Sequence, residues 1–204
     1  HAYIGVGQVS PIQEKLIYET LLQLAVESDN QTALKELKSI APYPNAGKVD
    51  VIKISLVRKW VSFYQGGWYG HEDLGLFYKL PIFSNEYSHE DLEEMQGVSF
   101  RYFNALNNNT SNFQNDIANN VEIKTPLMFL MGRYDLQTPY EGAKRYFDNI
   151  EASHKRFFTF ERSGHYPYLS QPGQFLKILI DEVLPLTEKR ADFEKLPVLQ
   201  KMYK

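Results

Sequence analysis

Hydrophobic residues recur at helical spacing through the first half of the chain and gather into short continuous runs in the second. After Ser10-Pro11, a cap and a first-turn proline, the positions Ile12, Leu16, Ile17, Leu21, Leu24 and Ala25 fall on one helix face. A second helical run spans Gln31 to Ile40, with Leu34, Leu37 and Ile40 on one side, and Pro42 and Pro44 stop it. Val49 to Tyr64 repeats the behaviour through Val49, Ile52, Leu56, Trp60 and Phe63, and Gly66-Gly67 reads as its terminator. Trp68 to Tyr87 is an aromatic-rich loop with short helical turns. Ser88, with Asp91 three residues on, forms a capping box for a helix that runs to about Leu106. Asn107 to Asn112 is polar and breaks the period, as a surface loop does. Residues from about 11 to 119 thus form a helical block.

At Thr125-Pro126 the pattern changes. Leu127-Met128-Phe129-Leu130-Met131, ending in Gly132, is the continuous apolar run of a strand buried on both faces. Pro139 to Ile150 is helical, with Ala143, Tyr146, Phe147 and Ile150 on one side. Arg156 to Glu161 is a second strand, Pro172 to Leu184 a second helix, and Glu188 to Tyr203 an amphipathic segment interrupted by Pro197. Short connections and the right-handed crossover rule turn this β-α-β-α order into two adjacent parallel strands. Tyr3 to Val6 reads as a further strand at the start. The class is α/β, divided into a core strand segment over 1–9, a helical region over 10–120 and a second core segment over 121–204.

Composition narrows the functions open to such a chain. Its 204 residues include 14 Tyr, 13 Phe and 2 Trp, enough to fill a sizeable core. A net charge of −3 gives no electrostatic reason for nucleic acid or an anionic membrane as partner. The absence of cysteine excludes disulfides, thiolate metal sites and cysteine nucleophiles, and fits a reducing, cytoplasmic location. No apolar run is long enough to span a membrane. The opening, His1 to Gly7, lacks the charged start and length of a signal peptide, and an upstream targeting signal stays open. It is a strand-like segment without an initiating Met, so further chain is expected upstream.

Ligands of parallel sheets bind where the loops at the strands' carboxyl ends converge. Gly132-Arg133-Tyr134-Asp135 places a carboxylate just beyond one strand, and Ser163-Gly164-His165 places an imidazole just beyond the next, 30 residues later. A carboxylate beside an imidazole holds its tautomer and stabilises the imidazolium formed when the ring accepts a proton. Taken singly, Asp135 is also placed to cap the following helix and His165 to sit in a turn. His71, His89 and His154 have no recurrent ligand spacing, so no metal is expected. Asn108-Asn109-Thr110 fits a glycosylation acceptor, which has meaning only in a secretory context.

The segments Leu127 to Asp135 and Ser163-Gly164-His165-Tyr166-Pro167 resemble the last two active-site strands of an α/β-hydrolase. Tyr3-Ile4-Gly5-Val6-Gly7-Gln8, leading straight into helices, is similar to the strand before the helical cap in the proline iminopeptidase-like branch. The resemblance implies the chain order nucleophile, acid, histidine, with Asp135 and His165 as the last two and residues 10–120 as the lid. No G-x-S-x-G elbow and no HGGG-type oxyanion loop occurs in the sequence. The resemblance therefore implies a lid and C-terminal part whose serine lies in a missing N-terminal half. Ser-His-Asp acyl transfer on an ester or amide follows, most closely as an aminopeptidase acting on a small molecule or short peptide without a cofactor. The chain alone is expected to be inactive, and its opening strand to fray or self-associate.

The same resemblance puts Trp60, Trp68, Tyr69, Phe77, Tyr78 and Tyr134 in a substrate pocket, where packing of lid helices is the other reading. It offers Glu72, Asp73, Glu86, Glu90, Asp91, Glu93 and Glu94 as carboxylates for a substrate ammonium. Two alternatives stand beside it: an epoxide hydrolase-like enzyme with an Asp nucleophile, and a non-catalytic ligand-binding module.

Overall fold

A computed structural model of the protein describes residues 2–11, 13–45, 50–72, 80–94 and 122–186. Three parallel strands form the main sheet in the order β1-β3-β5: β1 Tyr3–Val6, β3 Leu127–Gly132 and β5 Lys155–Phe160. Tyr3 to Val6 pair with Leu127 to Leu130, and Leu127 to Gly132 pair with Lys155 to Phe160. The central strand is buried along its whole length, as its unbroken apolar run predicts. Among the described residues β1 has no neighbour on its outer side.

Successive side chains of β3 point to opposite faces, and each face meets its own cover. Leu127, Phe129 and Met131 pack on Ala143, Phe147 and Ile150, which belong to or border helix α4 Tyr140–Asn149. Met128 and Leu130 pack with Phe160 and Ile178, with Phe175 and Val183 alongside. Each such fully buried aliphatic side chain contributes about 1.5 to 3 kcal/mol. The chain reaches the second cover through α5 Pro167–Ser170 and α6 Pro172–Ile178. The single helix predicted over Pro172 to Leu184 is divided: a π turn spans Leu179–Val183 and a 3-10 turn Leu184–Leu186. Pro185 supplies no N–H, so a regular α ladder cannot continue through it.

A second parallel pairing, β2 Glu122–Ile123 with β4 Glu151–Ala152, lies just before β3 and β5. Two residues per strand are too few for any period to announce.

Three helices follow β1: α1 Gln13–Glu27, α2 Gln31–Ser39 and α3 Val51–Phe63. They share a core of Ile17, Leu21, Ala25, Leu37, Val57 and Val61. Asn30 accepts from the Ala33 amide to open α2, and Asp50 accepts from the Ile52 and Lys53 amides to open α3. Tyr18, buried, donates its hydroxyl to the Leu37 carbonyl at 3.0 Å. Ser10 does not cap α1, which starts at Gln13. Its hydroxyl is buried against Gly142 and has no hydrogen-bond partner among the described residues.

The buried stripe of α3 also differs from the expected one. Val57, Trp60 and Val61 face the core, whereas Ile52 is 82% exposed and Phe63 41% exposed. At 3.6 residues per turn Ile52 lies about 140° round from Val57 and about opposite Val61, so it falls on the side of α3 turned away from α1 and α2. Val49 lies outside the described residues.

The end of α3 corrects the reading of Gly66-Gly67. The Gln65 amide donates to Ser62 O and the Gly66 amide to Val61 O, each at 2.9 Å, the paired bonds of a Schellman cap. The left-handed residue of that cap is Gln65, at φ 59°, and not a glycine. Gly66 is free of a side chain for another reason, set out below.

The capping box at Ser88 is present. The Asp91 carboxylate accepts from the Ser88 amide at 2.8 Å and the Ser88 hydroxyl accepts from the Asp91 amide at 3.1 Å, opening a helical segment over 89–94. The Ser88 hydroxyl also donates to that carboxylate at 2.7 Å, and this bond together with the one from the Ser88 amide holds the Asp91 carboxyl below the usual carboxylate range. The predicted continuation to Leu106, the loop Asn107 to Asn112 and the segment Glu188 to Tyr203 lie outside the described residues. Among those described, no helix is long and apolar enough to cross a membrane.

Candidate active site

β3 and β5 end side by side, and the loops that leave them are stitched together by backbone. Arg133 N–H donates to Phe160 O at 3.0 Å, and Tyr134 N–H donates to Ser163 O at 2.9 Å. Gly132 is required where they cross, because a Cβ there would overlap the carbonyls of Ser163 and Gly164. Outside the crossing, Arg133 grips Glu161 through two bonds of 3.0 and 2.7 Å, and its guanidinium lies 4.3 Å from the centre of the Tyr140 ring. Those bonds hold the Glu161 carboxyl below its usual range.

Asp135 emerges from this crossing fully buried. One carboxylate oxygen, Oδ1, accepts from the amides of Gln137 and Thr138, both at 2.8 Å. The other, Oδ2, accepts from the Thr138 hydroxyl at 2.7 Å and stands 3.0 Å from His165 Nδ1. The His165 side chain is 23% exposed beside a carboxylate that is 0% exposed. A buried acceptor thus faces one nitrogen of an imidazole that solvent partly reaches. In that arrangement the Nδ1–H donates to Asp135 and the ring's other nitrogen is left to take or give a proton. The helix-capping reading of Asp135 does not hold: α4 starts at Tyr140 with no side-chain cap, and the carboxylate closes the turn before it while it meets the histidine.

Other segments fix where His165 sits. Its amide donates to Gly67 O at 2.7 Å and to Gly66 O at 3.2 Å, the loop after α3. Gly164 lies so close to that loop that a Cβ on it would come within 2.8 Å of the Gly66 and Gly67 carbonyls, and a Cβ on Gly66 would overlap Leu136. Gly66-Gly67 is therefore the seat of the histidine loop. From β1, Gly7 lies against the imidazole at φ +57°, where a Cβ would come within 2.6 Å of Nδ1. The His165 and Tyr166 rings meet edge to face at 5.0 Å, and Gln137 donates to the Tyr166 hydroxyl at 3.2 Å.

The remaining expected residues fall in three places. Tyr69 and Tyr134 are brought together, their rings 5.0 Å apart and Tyr134 next to Asp135 in the chain. Trp68 packs its ring 4.1 Å from that of His71 in the same turn. Trp60 is placed in the core of the three helices, 4% exposed, beside Phe63 and Tyr64, and its indole donates to Glu36 at 3.0 Å. Phe77, Tyr78 and Asp73 lie outside the described residues. Of the carboxylates offered for a substrate ammonium, Asp91 is engaged by Ser88 and Glu93 by His89 at 3.3 Å. Glu72, Glu86, Glu90 and Glu94 are exposed. Among the described residues no group of three or more His, Asp or Glu is arranged to hold a metal ion.

Thr138, Gly7 and the Gly66-Gly67 pair are the site residues that sequence reasoning missed. Asp135-Leu136-Gln137-Thr138 carried a signal, an acid followed at the spacing from which a side chain closes on its own backbone. For the glycines none exists, since each answers to a segment far away in the chain.

No protein-family model matches the chain. Over 184 residues the chain is 28% identical to the probable aminopeptidase YbaC of Bacillus subtilis (strain 168), a match that covers 88% of this chain. The chain spans about half of that relative, 56% of its length. Among solved structures an esterase from Exiguobacterium antarcticum shares 29% identity over 28% of this chain and 21% of its own, at a TM-score of 0.26, too low to bear on the fold.

Proposed function

We propose that this chain is the lid and C-terminal part of an α/β-hydrolase that cleaves an amide or ester bond, as an aminopeptidase of the proline iminopeptidase type. The observation that carries the reading is the 3.0 Å approach of Asp135 Oδ2 to His165 Nδ1 at neighbouring strand ends of a parallel sheet. The probable-aminopeptidase name of the relative supports the substrate class. Residues 10–120 form the lid. A nucleophilic serine arrives on a strand-to-helix elbow outside these 204 residues, in an N-terminal half that pairs with the outer side of β1.

Asp135 holds the imidazole and stabilises its protonated form. His165 takes the serine proton as the hydroxyl attacks the carbonyl, and returns it to the departing amine or alcohol. A water molecule then repeats the sequence on the acyl-enzyme. Tyr69 and Tyr134 form an aromatic wall for the group beside the scissile bond.

The test uses the full-length protein with a proline p-nitroanilide and a p-nitrophenyl ester. His165→Ala lowers turnover roughly ten-thousandfold, and Asp135→Asn by as much or less. Near-normal rates in both variants would overturn the reading. So would hydrolysis by the 204-residue chain alone that survives repurification and is lost with His165→Ala, because the nucleophile would then lie within it.

A further inference from the structure

We infer that Thr138 is the positioning residue of the acid–histidine pair: its hydroxyl takes one of the last two acceptor sites of Asp135 and leaves the carboxylate a single direction in which to accept, toward His165 Nδ1. The inference rests on the proposed pairing of Asp135 with His165 and adds to it the reason the carboxylate points one way.

A carboxylate has about four acceptor sites, two on each oxygen. Both sites of Oδ1 are filled from the following turn, by the amides of Gln137 and Thr138. On Oδ2 the Thr138 hydroxyl takes one site at 2.7 Å, and the remaining one faces Nδ1 at 3.0 Å. Thr138 therefore grips both oxygens, one through its backbone and one through its side chain.

The third side of the triangle strengthens the case. Thr138 Oγ1 lies 3.1 Å from His165 Nδ1. The hydroxyl has one proton, and a carboxylate can only accept, so that proton goes to Asp135 and an oxygen lone pair faces the ring. The Nδ1–H then lies between two acceptors, in a pocket where Asp135 is 1% and Thr138 4% exposed. Pro139 follows directly and α4 starts at Tyr140, so the backbone that carries the hydroxyl is anchored on its far side. Without the hydroxyl, Oδ2 has a vacant acceptor site in a buried place, and the carboxylate turns to fill it.

The measurement is the proton NMR signal of His165 Nδ1–H in the full-length protein, with its exchange against solvent. The wild type should give a downfield, slowly exchanging signal. In Thr138→Val, which keeps the shape, exchange should quicken about tenfold, the worth of one hydrogen bond to a charged group. Thr138→Ser, which restores the hydroxyl, should return it to near the wild-type rate. Equal protection in the Val variant overturns the inference, and so does loss of the signal in the Ser variant, since the hydroxyl would not then be what matters. In the full-length protein the same pair of variants should lower and restore kcat with little change in KM. A protein that cleaves neither substrate class yet shows this pattern of exchange sinks the proposed function and leaves the role of Thr138 standing.

Discussion

The two residues that meet at the sheet edge are held in opposite ways. Asp135 closes its own loop: its amide donates to Gly132 O at 3.2 Å, and its carboxylate takes the amides of the next turn. His165 is held from elsewhere, by the carbonyls of Gly66 and Gly67 at its amide, by Gly7 against its ring and by Asp135 at Nδ1. The aim of the carboxylate within its loop is encoded within a few residues of sequence, although the flanking amides of Tyr134 and Leu136 donate to Ser163 O and Gly66 O. The histidine's position exists only once three distant segments have come together. A change near either residue should therefore be read by asking which of the two it reaches.

Gly132→Ala strikes where the two loops cross and should do the most damage. Its methyl group would meet backbone carbonyls that cannot step aside, so urea unfolding should register a loss of about 3 kcal/mol or more. A neutral result would mean that the crossing is not what joins the loops. Gly7→Ala tests the histidine side alone. Gly70, also left-handed at φ +84°, has nothing within 4 Å of an added Cβ, so Gly70→Ala measures the backbone strain by itself. That strain is about 1 kcal/mol, and Gly7→Ala should exceed it by another 1 to 2 kcal/mol as the imidazole is pushed away. Equal losses would show that the ring has room.

Gln65→Gly sharpens the comparison by improving the seat. A glycine at the left-handed end of α3 removes strain of about 1 kcal/mol. It also removes the exposed bond that Gly70 N–H donates to Gln65 Oε1 at 3.1 Å, so the net gain should be about 0.5 kcal/mol, visible as a slightly higher midpoint in the same urea titration. The smallest effect belongs to the outer clamp between Arg133 and Glu161. The folded-state pKa of Glu161 is lowered by Arg133, so its contribution is present above the ordinary carboxylate range and is lost as pH falls through the folded value. Thermal unfolding from pH 7 down to pH 3 should therefore fall slightly more steeply in the wild type than in Glu161→Gln. A parallel decline would show that the exposed pair contributes nothing.

The same division explains what the residues disclosed in advance. The apolar run Leu127 to Met131 and the amphipathic period of Pro139 to Ile150 could be read because each records its own burial. The parallel pairing of β3 with β5 followed from them through connection length and handedness, whereas the place of β1 beside β3 did not. Asp135 and His165 were legible as positions at strand ends. The side chains that aim them were not: Thr138 looks like any residue before a proline, and Gly66-Gly67 looks like any helix terminator. Ile52 shares its spacing with Leu56 and Trp60 yet lies on the side of α3 away from Val57 and Val61, and a period alone does not say which side a neighbour covers. The two-residue pairing of β2 with β4 is below the length at which a pattern exists.

The Gly66 carbonyl accepts from both Leu136 N–H and His165 N–H, each at 3.2 Å, so one atom at the end of α3 touches both loops. Mechanically, that makes the site the pivot of the helix. A helix of 13 residues is about 20 Å long. A tilt of about 3° then moves its Asp50 end by about 1 Å, while the end at Gly66 scarcely moves. A displacement of that size at the Asp50 end would leave the His165 amide seated on the Gly66 and Gly67 carbonyls.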